Sequence, residues 1–465
     1  MMDLYHSNRK RAQSYRDDLI ARLGECANPE TFSAAAGSDL QPFYLEFKKR
    51  VSGLIDEETA RLKDALTAET DAHFLLLQRS ALADAVVQTA FQTALWLHNR
   101  LHSSSLQAGD LRVALVGRGG YGREEMYFAS KVDLKMVFQD EQGSHPSQPG
   151  PQVIKLFEYL FVFQDLFPAT ARTGCAVLET ETEKIATSNL ESLMSLLEHR
   201  FIAGDETVYW KFSQSLQSAK TKHHEKILDY CRRFETMYDV QSTVFHQEPN
   251  LKEELRRLYW ALCLSRTIHD LRKINQFELL QELHQRDYLS TPVYKLACNA
   301  LNFLARVRLA LHCHQQGAQR DRLTYEVRET VARTLHFPVA PFFKEYFFNT
   351  VLPLKRCARN LFWECLTADS APVLALSPDF ALNRDQQIIF SNPEGDHAWD
   401  PPWTVLELFT WVSGENYSLS YPVIRAIEQN VGRMLETLHP PADPSPIQAY
   451  FQNILRGKHF ARALR

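Results

Sequence analysis

The chain has 465 residues, which is enough for two or three domains that each bury a sizeable core. Its hydrophobic share of 45% and charged share of 23% are those of an ordinary soluble protein. The formal net charge is −4, so the chain lacks the excess of basic residues that is typical of nucleic-acid-binding proteins. The composition therefore argues against a nucleic-acid partner. No apolar run approaches the ~18 residues of a membrane-spanning helix, so no membrane partner is predicted either.

Eight cysteines are scattered along the chain, and none of them belongs to a CxxC pair. This usage is typical of a reducing compartment and gives no indication of structural zinc. The N-terminus is polar and lacks the apolar core of a signal peptide. We therefore predict a cytoplasmic protein.

The order of helical and strand-like patterns divides the chain into four predicted domains. They are a helical segment over residues 1–105, a sheet-containing domain over 106–245, a helical bundle over 246–370 and a mixed segment over 371–465. The first segment has its clearest amphipathic stripe at three- and four-residue spacing. That stripe consists of Ala83, Val87, Ala90, Phe91, Ala94, Leu95 and Leu101.

Residues 111–138 read as a strand, a glycine turn with a short helix, and a second strand. The first strand, over 111–116, is apolar and rich in β-branched residues, and four glycines lie within the next six positions. The second strand, over 132–138, alternates, with Lys131, Asp133, Lys135 and Val137 on one face. The sequence therefore predicts an acid between two bases, close in space to a glycine turn.

The rest of the second domain is predicted from composition and period. Residues 139–152 have the composition of a surface loop, residues 153–163 form a helix, and residues 166–173 form a third strand. We predict that residues 184–236 are helical. Their predicted inward positions are Leu190, Leu193, Leu197, Phe201 and Ile202.

The third domain repeats apolar residues with helical period between residues 250 and 365, and prolines separate the segments. In the fourth domain we predict one hairpin over residues 380–390, turning at Asn383, Arg384 and Asp385. Short helices broken by the proline-rich stretch 440–446 are predicted after Trp403. Together these patterns predict an α+β fold.

Six stretches of the chain are similar, in the same order, to stretches of the bacterial protein-PII uridylyltransferases. They are residues 119–134 (GGYGREEMYFASKVDL), 172–173, 196–205, 248–253, 303–308 and 321–324. The resemblance implies a nucleotidyltransferase fold, in which a mixed sheet is flanked by helices. It covers the nucleotidyltransferase portion of that family, without its HD and ACT domains.

The resemblance also implies a chemistry and a set of partners. The family transfers UMP from UTP to a PII-type signalling protein, in nitrogen regulation. Backbone N–H groups of the glycine turn would meet the nucleotide phosphates. Two carboxylates two residues apart on the second strand would hold Mg²⁺ against the triphosphate of UTP or ATP.

The site residues follow from this resemblance, position by position. The nucleotide-binding residues that it implies are Gly119, Gly120, Tyr121, Gly122, Arg123, Ser130, Arg172 and Lys252. Asp133 is the implied metal ligand and residual catalytic group. Lys131 replaces the first aspartate of the family's Ser-Asp-Ile-Asp motif, and an ammonium group cannot bind Mg²⁺. Arg123 and Glu125 fit a structural role in the turn better than a catalytic one.

Two further departures from the family pattern concern acidic and glycine-rich positions. Asn189 stands where the family has an aspartate, although Glu181, Glu183 or Glu191 could take its place. Residues 168–170 lack the glycine and histidine of the family's GHS segment. The histidines of the segment 312–314 face apart on a helix, so we predict no metal site there.

Three functional hypotheses remain at this point. The first is a uridylyltransferase-like protein with an eroded metal site, which acts by binding nucleotide or by contact with a PII-like or other regulatory protein. The second is an active nucleotidyltransferase that uses Asp133 and a relocated acid. The third is an interaction scaffold that binds no nucleotide.

Overall fold

The structure is a computed structural model of the chain. It describes residues 2–26, 40–67, 69–161, 167, 172–178, 190–230, 248–315, 320–367, 372–383, 386–392, 403–415, 417–420, 422–424, 426–427, 430 and 445–459. The chain divides into two compact units, Met1–Ala358 and Arg359–Arg465. In the described part of the chain, no helix combines the length and the apolar character that a membrane crossing needs.

Three long helices open the first unit. They are α1 (Met2–Cys26), α2 (Gln41–Asp64) and α3 (Ala72–His102). The side chain of Asp71 caps α3 by accepting hydrogen bonds from the backbone N–H groups of His73 and Phe74. The predicted stripe of α3 is buried except for Leu101, which is 53% exposed near the end of the helix.

A four-stranded mixed sheet packs against α3. Its strands are β1 (Val113–Gly117), β2 (Asp133–Phe138), β3 (Arg172–Val177) and β4 (Arg200–Gly204), in the spatial order β3-β2-β1-β4. Strand β1 pairs antiparallel with both β2 and β4, whereas β2 and β3 are parallel. The sheet, α1, α2, α3 and the helix α5 (Pro149–Phe161) share one apolar core. The predicted α+β fold is confirmed.

The short helix α4 (Gly119–Gly122) follows β1 directly and is connected to β2 by the 123–132 loop. The predicted strands 111–116 and 132–138 are therefore present, each shifted by one or two residues. Residues 139–148 form turns, as the loop composition indicates, and α5 begins four residues earlier than predicted. The third strand is Arg172–Val177, and residues 166 and 168–171 of the predicted strand lie outside the described residues.

The prediction of continuous helix over residues 184–236 is wrong. Within the described residues, α6 (Leu190–Leu196) is followed by strand β4 and then by α7 (Glu206–Lys222). Phe201 and Ile202 continue the helical spacing of Leu193 and Leu197, but both lie in β4, where Phe201 pairs with Val116 of β1. Residues 181–189 and 231–247 lie outside the described residues, and so do the 168–170 positions.

A helical bundle follows the sheet, as the apolar period predicts, and its last helix continues past Ala358, where the first unit ends. Its helices are α8 (Leu251–Ile268), α9 (Gln276–Gln285), α10 (Thr291–His314), α11 (Tyr325–Thr334), α12 (Val339–Lys344), a π-helix (Glu345–Val351) and α13 (Leu352–Thr367). Three of these helices begin at a polar side chain or a proline. Asn250 and Asn275 cap α8 and α9, and Pro292 lies in the first turn of α10.

The second unit contains its own small sheet, described here by itself. Its elements are β5 (Leu374–Ala375), β6 (Phe380–Leu382), β7 (Gln387–Phe390), α14 (Trp403–Glu415), β8 (Ser418–Leu419) and α15 (Ser445–Arg456). Strands β6 and β7 pair antiparallel, which confirms the predicted hairpin. Asn383 closes it by accepting a hydrogen bond from the Gln387 N–H, while Arg384 and Asp385 lie outside the described residues.

Candidate functional site

A polar cavity of about 550 Å³ opens where α4, the 123–132 loop and the start of β2 face the N-terminal half of α8. All its lining residues belong to the first unit. Eight residues predicted from the sequence meet at this cavity. They are Gly119, Gly120, Tyr121, Arg123, Ser130, Lys131, Asp133 and Lys252.

Two glycines of the turn are required by its geometry. Gly119 has a φ of +58°, in the left-handed region that favours glycine. At Gly122 an added Cβ would lie 2.0 Å from the carbonyl oxygen of Glu198. Gly122 therefore holds α4 against the segment before β4, and its α-carbon faces that segment.

Tyr121 lines the cavity through its backbone, because its side chain is only 1% exposed and packs into the core. The Arg200 guanidinium lies 5.3 Å from the centre of the Tyr121 ring and donates a hydrogen bond to the Tyr121 carbonyl oxygen at 3.3 Å. Arg200 also forms two hydrogen bonds with Asp84 of α3, at 2.6 and 2.9 Å. This contact fixes the turn to the N-terminal helices.

Arg123 forms the base of the cavity together with two buried carboxylates. It donates to Glu125 at 2.8 Å and to Glu198 at 2.5 Å, and it lies 4.6 Å from the centre of the Tyr259 ring. Burial lowers the pKa of Arg123, but the charges of Glu125 and Glu198 outweigh it, so that the pKa is raised well above its usual value. Gln276 of α9 donates two further hydrogen bonds to Glu125. Arg123 is therefore a structural cation whose charge is already matched.

The N-terminal helix reaches the same turn through Glu124, which has a φ of +60°. Arg9 of α1 donates a hydrogen bond to Glu124 at 2.6 Å and a second one to Glu278 of α9. Burial alone would raise the pKa of Glu278, yet its contacts with His73 and Arg9 lower it to about 2. Ion pairs thus connect α1, the 123–132 loop and α9.

Lys131 and Asp133 lie where the 123–132 loop enters β2. Both side chains are half-buried and line the cavity. The Asp133 carbonyl accepts a hydrogen bond from the Arg118 N–H at 3.1 Å, which joins the ends of β1 and β2. In the parallel pairing of β2 with β3, Asp133 lies opposite Arg172. The Arg172 backbone is therefore next to the site, while its side chain is outside what the structure describes.

Arg308 and Asp321 line the second wall of the cavity, and the buried His312 contacts Asp321. His312 of α10 accepts a hydrogen bond from the Ala129 N–H at its Nδ1 atom (3.3 Å), and its Nε2 atom lies 3.0 Å from Asp321 Oδ1. Arg308 donates to the same oxygen at 2.7 Å and lies 4.0 Å from the centre of the Tyr127 ring. These contacts fix the 123–132 loop, which contains Lys131.

Asp321 also supports the other cationic side of the cavity. Its backbone carbonyl accepts a hydrogen bond from the Leu251 N–H at 2.8 Å, at the first residue of α8. Lys252 follows directly, and the Asn250 side chain caps this turn by accepting from the Lys252 and Glu253 N–H groups. One residue therefore positions both the loop before Lys131 and the helix start that carries Lys252.

Comparison with known proteins connects this site to a family. The family model described as GlnD PII-uridylyltransferase matches residues 222–362, the part that contains Lys252, Arg308 and Asp321. Curated proteins named bifunctional uridylyltransferase/uridylyl-removing enzyme match over a longer range. The chain is 26% identical to the one from Erythrobacter litoralis over 333 residues and 27% identical to the one from Novosphingobium aromaticivorans over 334 residues.

Over the matched residues the chain is similar to the PII-uridylyltransferase family. These two matches cover 69% and 68% of this chain, and 33% and 34% of the relatives. The relative from Idiomarina loihiensis is 22% identical over 420 residues, which is 85% of this chain and 42% of that protein. The chain therefore spans about a third of the length of the first two relatives.

The family implies a metal-dependent transfer reaction, so the described donors can be compared with the needs of Mg²⁺. Magnesium prefers several oxygen ligands in octahedral geometry. Glu125 and Glu198 both accept hydrogen bonds from Arg123, and Asp321 accepts one from Arg308. Asp133 is the fourth carboxylate of the described wall, and Lys131 precedes it by two residues. Among the described residues no group of three acidic, histidine or cysteine side chains could hold a metal ion, so these residues do not fit a Mg²⁺ site.

The sequence did not predict that Arg308, His312 and Asp321 position the 123–132 loop. Arg308 and Asp321 were recognised only as parts of matching stretches, and His312 only as half of an unsuitable metal pair. His312 holds the 123–132 loop across 183 residues of chain. Its position on the inner face of α10, four residues after Arg308, is the signal that could have grouped the two residues.

Proposed function

We propose that this chain is a nucleotide-binding member of the PII-uridylyltransferase family in which nucleotidyl transfer is weak or absent. In this proposal the nucleotide phosphates bind in the cavity between the glycine turn and the start of α8. The protein then acts through the bound nucleotide or through contact with a regulatory protein of the PII type. A cytoplasmic location belongs to the same proposal.

One observation carries the proposal. Lys131 lines the cavity next to Asp133, while the other three described carboxylates of the cavity are each hydrogen-bonded to an arginine. Phosphoryl and nucleotidyl transfer depend mainly on positioning and on metal ions that neutralise the developing charge. A wall with basic groups and without a pair of available carboxylates suits binding better than transfer.

Calorimetry with UTP and with ATP tests the binding half of the proposal. We expect saturable binding of at least one of the two nucleotides to the full chain. Binding of neither would overturn the proposal and favour the interaction scaffold. Radiolabelled UTP and a PII-type protein test the other half, where we expect no transfer, or transfer far below that of a full-length relative assayed alongside.

The Lys131→Asp variant tests why transfer is weak. The substitution places a second carboxylate two residues before Asp133, where the 123–132 loop enters β2. We expect it to raise Mg²⁺-dependent transfer by about a hundredfold, since a dominant electrostatic group contributes ~3 kcal/mol to a transition state. Lys131→Asn is the matched control, because it removes the ammonium group without adding a carboxylate. Vigorous transfer by the parent chain would instead support an active enzyme with a relocated acid.

A further inference from the structure

We propose that the cavity binds the polyphosphate of a nucleotide in its magnesium-free form, with the Lys131 ammonium group as a fixed counter-charge. This inference depends on the proposed nucleotide site and concerns the form of the ligand that the site selects. It differs from a site that binds the nucleotide as its Mg²⁺ complex, in which protein carboxylates hold the ion against the phosphates.

The charges that line the cavity are the first support. Six basic and four acidic side chains line it, so the wall carries an excess of positive charge. Two of the acids, Glu125 and Glu198, bind Arg123, and the third, Asp321, binds Arg308. These acids are 1–7% exposed and therefore hold their arginines in the wall. They contribute structure and are poorly placed to ligate a metal ion.

Of the four basic groups that remain, Arg256 forms an ion pair with Glu253 at 3.4 Å and Arg320 forms one with Asp321 at 3.8 Å. Within the described ranges, neither Lys131 nor Lys252 forms an ion pair, and both line the cavity. Lys131 lies in the 123–132 loop, which His312 and Arg308 hold in place, and Lys252 lies in the first turn of α8. Both ammonium groups are therefore supported by rigid elements that line one cavity. An anion with several phosphates can contact both of them there.

Magnesium would work against such a site. Mg²⁺ bound to a triphosphate neutralises part of the charge that the two lysines would contact. The ion itself would approach the Lys131 ammonium group, which repels it. With no pair of carboxylates to compensate for this repulsion, the magnesium complex should bind more weakly than the free nucleotide. In this site Mg²⁺ would therefore weaken nucleotide binding, whereas in a site with two metal-binding carboxylates it strengthens that binding.

Calorimetry of UTP binding to the full chain, once in EDTA and once in excess MgCl₂, tests the inference. We expect the dissociation constant to be about tenfold higher in MgCl₂, since one charge-assisted hydrogen bond is worth ~1.5 kcal/mol. Inorganic tripolyphosphate in EDTA should bind within about tenfold of UTP. UMP should bind much more weakly, because it lacks the polyphosphate.

Variants separate the role of Lys131 from general electrostatics. Lys131→Met should weaken binding in EDTA about tenfold, whereas Lys131→Arg should retain most of it. Lys155→Met is the matched control, because Lys155 is exposed on α5 and does not line the cavity. Thermal melting of each variant checks that the fold is kept.

The outcomes distinguish this inference from the proposed function. UTP binding that requires Mg²⁺ would overturn the inference and leave the nucleotide site intact. Equal affinity for UMP and UTP would also overturn it, since the base would then be the group recognised. An unchanged affinity of Lys131→Met in EDTA would remove Lys131 from the contact. Failure of every nucleotide to bind under either condition would reject the proposed function itself.

Discussion

At the scale of single residues, Gly122 is the position where the site tolerates least change. An added methyl group would meet the Glu198 carbonyl oxygen at 2.0 Å and the Gly117 carbonyl oxygen at 2.9 Å. Both neighbours are backbone atoms, so neither can rotate away. We predict that Gly122→Ala lowers the free energy of unfolding of the first unit by about 2 kcal/mol or more, measured by urea denaturation.

Gly53 provides the control for that measurement. It lies exposed within α2, and an added Cβ would meet nothing within 4 Å. Alanine is the better helix former there, so Gly53→Ala should stabilise the protein by about 0.5–1 kcal/mol. If both substitutions changed stability in the same direction and by the same amount, the close approach at Gly122 would not be the cause.

The residues of the glycine turn and of β2 could be predicted from sequence because they are local. Residues 117–133 contain the turn, the lysine and the aspartate within one short stretch. The contacts of His312 and Asp321 could not be predicted in the same way, because their partners lie far away in the chain. Position on a helix face indicates which side chains point inward, but it does not identify the loop that they meet.

At the scale of elements, β4 shows why a clear periodic pattern can mislead. Leu193, Leu197 and Phe201 are spaced like the inner face of one helix, yet the chain leaves the helix after Leu196. Gly204 ends the strand with a φ of +100°, and an added Cβ would lie 2.3 Å from the Val113 carbonyl oxygen. Pairing with the edge of β1 therefore overrides a local helical preference, and only the tertiary structure reveals that edge.

The link between α10 and the 123–132 loop makes the stability of the site depend on pH. Burial lowers the pKa of His312 below its usual value of about 6.5, and Arg308 adds to this, while the hydrogen bond with Asp321 opposes it. The neutral ring is needed, because protonation of Nδ1 removes the acceptor for the Ala129 N–H. Burial likewise lowers the pKa of His199 to about 4.

The sign of the effect follows from these lowered pKa values. Below about pH 6.5 these histidines become protonated in the unfolded chain while they are still neutral in the folded chain. The free energy of unfolding therefore falls as the pH decreases. We predict this decrease for the first unit between about pH 6.5 and pH 4, measured by urea denaturation at a series of pH values. The further decrease in the free energy of unfolding that comes from protonation of carboxylates such as Glu278 begins only below about pH 4.5.

The His312→Asn variant isolates the contribution of His312. Asparagine can still accept a hydrogen bond from the Ala129 N–H but does not titrate, so the decrease in stability between about pH 6.5 and pH 5 should become shallower. His314→Asn, at an exposed position of the same helix, controls for the loss of a histidine. A decrease as steep as that of the parent in His312→Asn would contradict this prediction.

At the scale of the whole molecule, the pattern of helices and strands gave the α+β class and the helical bundle correctly. Periodicity is strong in long amphipathic helices such as α3 and α10, so their presence is readily predicted. The existence of a separate compact unit from Arg359 onward depends on which residues contact each other. Composition does not determine such contacts, and the structure is needed to reveal them.

The division into units leads to a prediction about where binding resides. Every residue that lines the cavity lies within Met1–Ala358, although α13 continues to Thr367. A fragment of residues 1–367 keeps that helix whole. We predict that it binds UTP with a dissociation constant within about threefold of that of the full chain, since the side chains around the ligand are unchanged.

Calorimetry on both proteins measures these dissociation constants, and circular dichroism verifies that the fragment is folded. The Lys131→Met substitution should weaken binding by the same factor in both. A folded fragment that no longer binds, or that no longer responds to Lys131→Met, would show that the second unit takes part in the site.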